Sequence, residues 1–136
     1  MRKVTISLDY DNILKEIHIE SAAFAMLTMG SEPDTITDNN KEMMHLLIAL
    51  AVNQVAHNIV GFICEELTIP DSGLTEIPLG VESTNFNAQL CRHIIERAVK
   101  MHVLSNCYAA DPEMQKHFNK CFTEAINDIR IILALP

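Results

Sequence analysis

Residues 43–67, MMHLLIALAVNQVAHNIVGFICEEL, restrict the fold of this chain more than any other stretch. Apolar side chains surround most of the segment, and a narrow stripe interrupts them: Gln54, His57, Asn58, Gly61 and Glu65. Those positions recur at helical spacing, so they line one edge of a helix. A helix wetted along so thin a strip is expected to be wrapped by other elements. The chain is therefore read as a helical bundle built around this helix. The apolar run at 46–52 is too short to cross a bilayer, and its continuation carries Asn53, Gln54, His57 and Asn58, which are costly in lipid. No membrane partner is expected.

Other elements follow from local pattern. Val4, Ile6, Leu8 and Tyr10 alternate with Thr5, Ser7 and Asp9, the period of a strand with one buried face. From Asp11 or Asn12 the period becomes helical, and a first helix is predicted to about Met29, with Gly30 as its stop. An acidic loop follows at 30–40. Asn39 with Glu42 three places on reads as the capping box of the second helix. Pro70-Asp71-Ser72-Gly73 is a turn, because Pro sets φ, Asp caps and Gly accepts positive φ. Extended pieces at 68–69 and 75–81 flank it, so a hairpin near 68–81 is expected, its prolines confining it to an edge. A third helix is predicted from Ser83 or Thr84, with Leu90, Cys91, Ile94, Ile95, Ala98, Met101 and His102 or Val103 inward. Asp111-Pro112-Glu113 restarts a fourth: Asp caps, Pro occupies the first position and an acid lies in the first turn. Met114, Phe118, Cys121, Phe122, Ala125, Ile129 and Leu133 give it the cleanest amphipathic pattern. The expected fold is mainly α, a single four-helix bundle domain over 1–136 with a small β element.

Composition narrows the function. The 136 residues carry 18 acids against 10 bases, a formal charge of −8. No basic footprint for phosphate exists, so direct nucleic-acid binding is not expected. The N-terminus, MRKVTISLDYDN, has a basic pair but no apolar signal core, which points to the cytoplasm. There Cys64, Cys91, Cys107 and Cys121 stay reduced and act as small apolar residues.

No stretch carries a recognisable reaction. Glu42-x-x-His45 has the spacing of a di-iron bundle ligand pair, but no second copy exists, and Glu113-x-x-x-His117 has the wrong spacing. A capping Glu and a surface or rim His are expected instead. His57 and Cys64 lie two turns apart on one face, and His117 and Cys121 one turn apart on another. These four are the candidates for a zinc site spanning two helices. There is no C-x-x-C to announce one, and Cys91-x-His93 points its side chains apart. Each Cys sits in an apolar run, which blunts a thiolate nucleophile. The loop acids Glu32, Asp34 and Asp38 lack the spacing of a calcium loop. No catalytic residue, cofactor or metal is assigned. The interface candidates are Val4, Ile6 and Leu8 on the strand, and Asn53, Gln54, His57 and Asn58 on the polar stripe.

Four stretches carry a resemblance: VTISLDYDNILKEI, KEMMHLLIALAVNQV, EIPLGVESTNFNAQL and MHVLSNCYAADPEMQKHFNKCFTEAINDIRIIL. In their order, extended piece into helix, long helix, extended piece into helix, two helices at an Asp junction, the chain resembles small helical accessory proteins of phage and prophage head–tail or tail-assembly cassettes. It departs where Cys107-Tyr108 stands in place of an expected Trp. The resemblance implies a non-enzymatic assembly or adapter protein that works by contact, as a homo-oligomer or with phage structural proteins, incorporated into a virion-like particle. It transfers no catalytic residue. The strand at 4–10 is suited to joining a partner sheet; it either pairs with 75–81 within the chain or joins a neighbouring subunit. The alternatives are a metal- or small-molecule-binding bundle and a cytosolic regulatory interaction module.

Overall fold

The computed structural model describes residues 1–28, 30, 32, 33, 36 and 40–136. Their elements run β1 (Arg2–Asp9), α1 (Tyr10–Thr28), α2 (Lys41–Asn58), a 3-10 turn (Val60–Phe62), β2 (Leu74–Val81), α3 (Ala88–Cys107) and α4 (Pro112–Ala134). The fold is mainly α with a small two-stranded antiparallel sheet, as the periodicities predict. No described helix is long and apolar enough to cross a membrane.

Each of these four α-helices starts at a side-chain cap. Asp9 Oδ1 accepts from the amides of Asp11 and Asn12 at 3.0 and 3.4 Å. That cap pulls Tyr10 out of the strand, where alternation had placed it, and makes it the first helical residue. Asn40 caps α2, accepting from Met43 N at 3.2 Å. The expected cap Asn39 lies outside the described residues, as do the loop acids Asp34 and Asp38. Asn87 caps α3, accepting from Leu90 N. The predicted start at Ser83 or Thr84 fails because the Ser83 hydroxyl instead closes a turn onto Asn85 N. Asp111 caps α4 with Pro112 behind it, as read.

Two further expectations change. Residues 43–67 are not one helix: α2 ends at Asn58. The Asn58 amide bonds back to Gln54 O at 2.8 Å, and Arg130 from α4 donates two hydrogen bonds to Asn58 O, at 3.0 and 2.9 Å. Those bonds satisfy terminal carbonyls that the next turn would otherwise use. The chain beyond joins the sheet instead, with Ile63 bridging Leu79 and Cys64 N donating to Pro78 O at 3.1 Å. Gly61 and Glu65 therefore leave the helical stripe. The hairpin near 68–81 also does not form: the strand over 74–81 pairs with β1, one of the two pairings open to that strand, in a register that sets Ile6 against Ile77 and Asp9 against Leu74. Apolar alternation on both strands explains the choice, since pairing them buries Ile6, Leu8, Ile77, Leu79 and Val81 together.

The centre of the bundle is α3, not α2. It packs on α1, α2, α4 and β1, and buries Cys91, Ile95, Ala98, Val99, Met101, Val103 and Leu104. Leu90, expected inward, is 47% exposed beside the cap. Tyr108 fills the position where a Trp was expected. It is buried, its ring 5.9 Å from Phe24 and 5.2 Å from Phe118, tying α1 to the α3–α4 junction. Lys100 of α3 reaches Glu16 and Glu20 of α1 at 3.4 and 3.7 Å.

Candidate interaction groove

The helix expected to be wrapped is open along one side. Met44, His45, Ile48, Ala49, Ala51, Val52, Val55 and Ala56 of α2 are buried. Met43, Leu46 and Leu50 are 44%, 47% and 60% exposed, and Asn53, Gln54 and His57 are exposed beside them. Met43, Leu46, Leu50, Asn53 and His57 advance by alternating threes and fours, the spacing of a stripe that another helix can pack against. Val60, 66% exposed, extends it past the helix end. Apolar content exceeded what the buried arc of α2 could take, and the surplus faces outward.

The stripe forms one wall of a groove. Residues 63–73 form the other, with Leu67, Ile69 and Asp71 facing α2. Three adjoining hollows make a continuous track: Leu46 and Asp71 border the first two, and Asn53, Leu67 and Ile69 border the second two. The far wall is fastened at both ends. The Ile63–Leu79 bridge and the Cys64–Pro78 bond hold its start. At its finish, Tyr10 N donates to Gly73 O at 2.9 Å and the Tyr10 hydroxyl donates to Pro70 O at 2.7 Å. Gly73, at φ 90°, supplies the left-handed residue that the predicted turn requires. The same hydroxyl lies 2.6 Å from Thr75 Oγ1, inside the core. Burial pushes the Tyr10 phenol up, so it stays protonated and able to donate.

That bond network makes Tyr10→Phe informative. Removing the hydroxyl leaves Pro70 O and the buried Thr75 hydroxyl without it. The expected loss is about 1–3 kcal/mol in urea unfolding, with faster hydrogen exchange over 67–73. An unfolding curve identical to that of the parent would show that the phenol does not hold this wall.

The groove is acidic at the α2 N-terminus. Asp11 bonds Lys41 at 3.2 Å and His45 Nε2 at 3.0 Å. The Lys41 ammonium chiefly, with His45 behind it, holds the Asp11 carboxyl below its usual range. This tie between α1 and α2 is present above the ordinary carboxylate pKa and fades as pH falls through the lowered one. Glu42 and Asp71 also line this end, exposed and with no cation against them among the described residues. At the other end, Glu65 is paired with Lys3 at 2.8 Å.

The sequence-predicted residues scatter. Asn53, Gln54 and His57 line the groove, and Asn58 turns back onto its own helix. Val4 is half-buried, while Ile6 and Leu8, 2% and 0% exposed, lie inside the chain's own core. Pairing with β2 closes the latter two side chains in. His45, expected on the surface or rim, is buried against Asp11, with Glu42 exposed one turn away. His117 and Cys121 meet on α4 at 3.8 Å. Among the described residues no three His, Cys, Asp or Glu side chains converge as a metal site. Cys91 is fully buried, which pushes its thiol up to about 11. Sequence reading missed Met43, Leu46, Leu50, Leu67 and Ile69 as site residues.

Comparison with known proteins finds no matching family, no matching curated protein and no matching solved structure.

Proposed function

We propose that this protein is a non-enzymatic adapter that acts through protein–protein contacts, made in the cytoplasm and taken into a particle of the kind encoded by phage-like structural cassettes. The observation that carries this reading is the open apolar stripe of α2 set in a groove. Covering partly exposed side chains such as Leu46, Leu50 and Val60 would stabilise a complex by about 1 kcal/mol each. Contiguous apolar surface of this kind marks interaction sites on folded proteins. The test is co-sedimentation of the chain with particles of the genetic element that encodes it. The double substitution Leu46→Glu and Leu50→Glu should abolish incorporation while leaving the helical circular dichroism unchanged. Full incorporation of that variant would remove α2 from the reading. Portal, capsid or tail genes adjoining this one would support the particle assignment.

A second reading, self-association through β1, is favoured by the open edge of that strand. Cys64 N takes Pro78 O on the side of β2 away from β1. Pro78 faces Thr5, so the Thr5 amide and carbonyl also point outward, and by alternation so do those of Lys3 and Ser7. Thr5 and Ser7 border a shallow hollow with Gln89 and Arg92 of α3. The strand begins with Arg2 and Lys3 and ends with Asp9. An antiparallel pair centred on Thr5 would set basic ends against acidic ends, and extend a two-stranded sheet that is marginal alone. Thr5→Pro deletes an outward N–H without touching the β1–β2 ladder. It should leave the fold intact and convert any β1-mediated dimer to monomer in sedimentation equilibrium. A dimer that persists would exclude this edge.

A further inference from the structure

We infer that the α2 groove receives one amphipathic helix from a different protein, with basic residues beside the apolar stripe of that helix. This rests on the adapter reading above and specifies the partner.

Shape comes first. The 18 residues of α2 span about 27 Å, and the hollows run along most of that length, so about five helical turns of a partner can lie in the track. A concave track with side-chain walls suits a helix laid lengthwise.

Charge decides the rest. Four carboxylates line the track, Asp11, Glu42, Glu65 and Asp71, against one ammonium group, Lys41. Lys41 already serves Asp11, and Glu65 is already served by Lys3. Glu42 and Asp71, beside Leu46 at one end, therefore have no ion-pair partner among the described residues. A partner with Lys or Arg near one end of its apolar stripe satisfies both. A second copy brings the same carboxylates and a further charge of −8. An anionic lipid surface is repelled for the same reason. Toward the other end, the Asn53 and Gln54 amides offer donors and acceptors that set register.

The test uses two labelled 18-residue helical peptides with leucines at three-and-four spacing. One carries lysines flanking the stripe at one end, and the other carries glutamates there. Fluorescence anisotropy is read against the full chain, against Leu50→Glu and against the double variant Glu42→Lys with Asp71→Lys. All three substituted sites are exposed, and unchanged melting checks the fold. The parent chain should bind the lysine peptide about tenfold more tightly than the glutamate peptide, Leu50→Glu should weaken it about tenfold, and the double variant should reverse the preference. If the double variant still prefers lysine, or the parent does not discriminate, the basic-helix inference is overturned while the adapter reading stands. If Leu50→Glu instead dissolves a dimer seen by sedimentation, a second copy is the occupant, which also overturns the inference and spares the adapter reading. If Leu50→Glu changes neither binding nor association, both fall.

Discussion

Ala125→Asp is expected to lose several kcal/mol of stability, a large part of the roughly 5–15 kcal/mol that holds a domain of this size. Ala125 is 3% exposed, in the same core as Ile126, Ile129 and Leu133 of its own helix. A carboxylate there loses its water inside an apolar core. The neighbouring Glu124 is exposed and carries the same charge without penalty, so the effect belongs to the face and not to the helix. Urea unfolding followed by circular dichroism measures it. The penalty should also be pH-dependent. Burial raises the pKa of the new carboxyl above its unfolded value, so the deficit is full at neutral pH and shrinks as pH falls through the raised pKa. A variant that unfolds at the same urea concentration as the parent would mean that this face of α4 is not in the core.

Ile6→Lys is the second large effect. Ile6 opposes Ile77 across the sheet, and both belong to the main core. Replacing a buried branched side chain with an ammonium group removes apolar packing and strands a charge, a loss of about 3–5 kcal/mol. Thr5→Lys and Ser7→Lys, exposed positions of the same strand, should stay within about 0.5 kcal/mol of the parent. That alternation is the measurement. Had β1 paired between chains, Ile6→Lys would have reduced association and left an isolated chain folded. Pairing with β2 inside the chain makes the same substitution a folding defect. Equal effects at positions 5, 6 and 7 would contradict the register.

The candidate groove was half legible. Asn53, Gln54 and His57 drew attention because polar residues on an apolar helix need an exit, and they do line the track. Leu46 and Leu50 did not, because an apolar side chain reads as core whether or not anything covers it. Nothing local distinguishes Ile48, at 0% exposure, from Leu50, at 60%. The difference lies in where α3 and residues 63–73 come to rest.

The same division runs through the whole molecule. Local signals were readable in the chain: Asp111-Pro112 opening α4, the alternation of β1, the turn at Pro70–Gly73 and the amphipathic face from Phe118 to Leu133. Their physics is contained in a single turn of backbone. Three features were settled at long range: α3 at the centre, α2 stopping at Asn58 under Arg130, and β1 pairing with a strand more than sixty residues away. Each was a competition among several apolar or hydrogen-bonding choices that look alike from nearby, and only the simultaneous packing of all elements separated them.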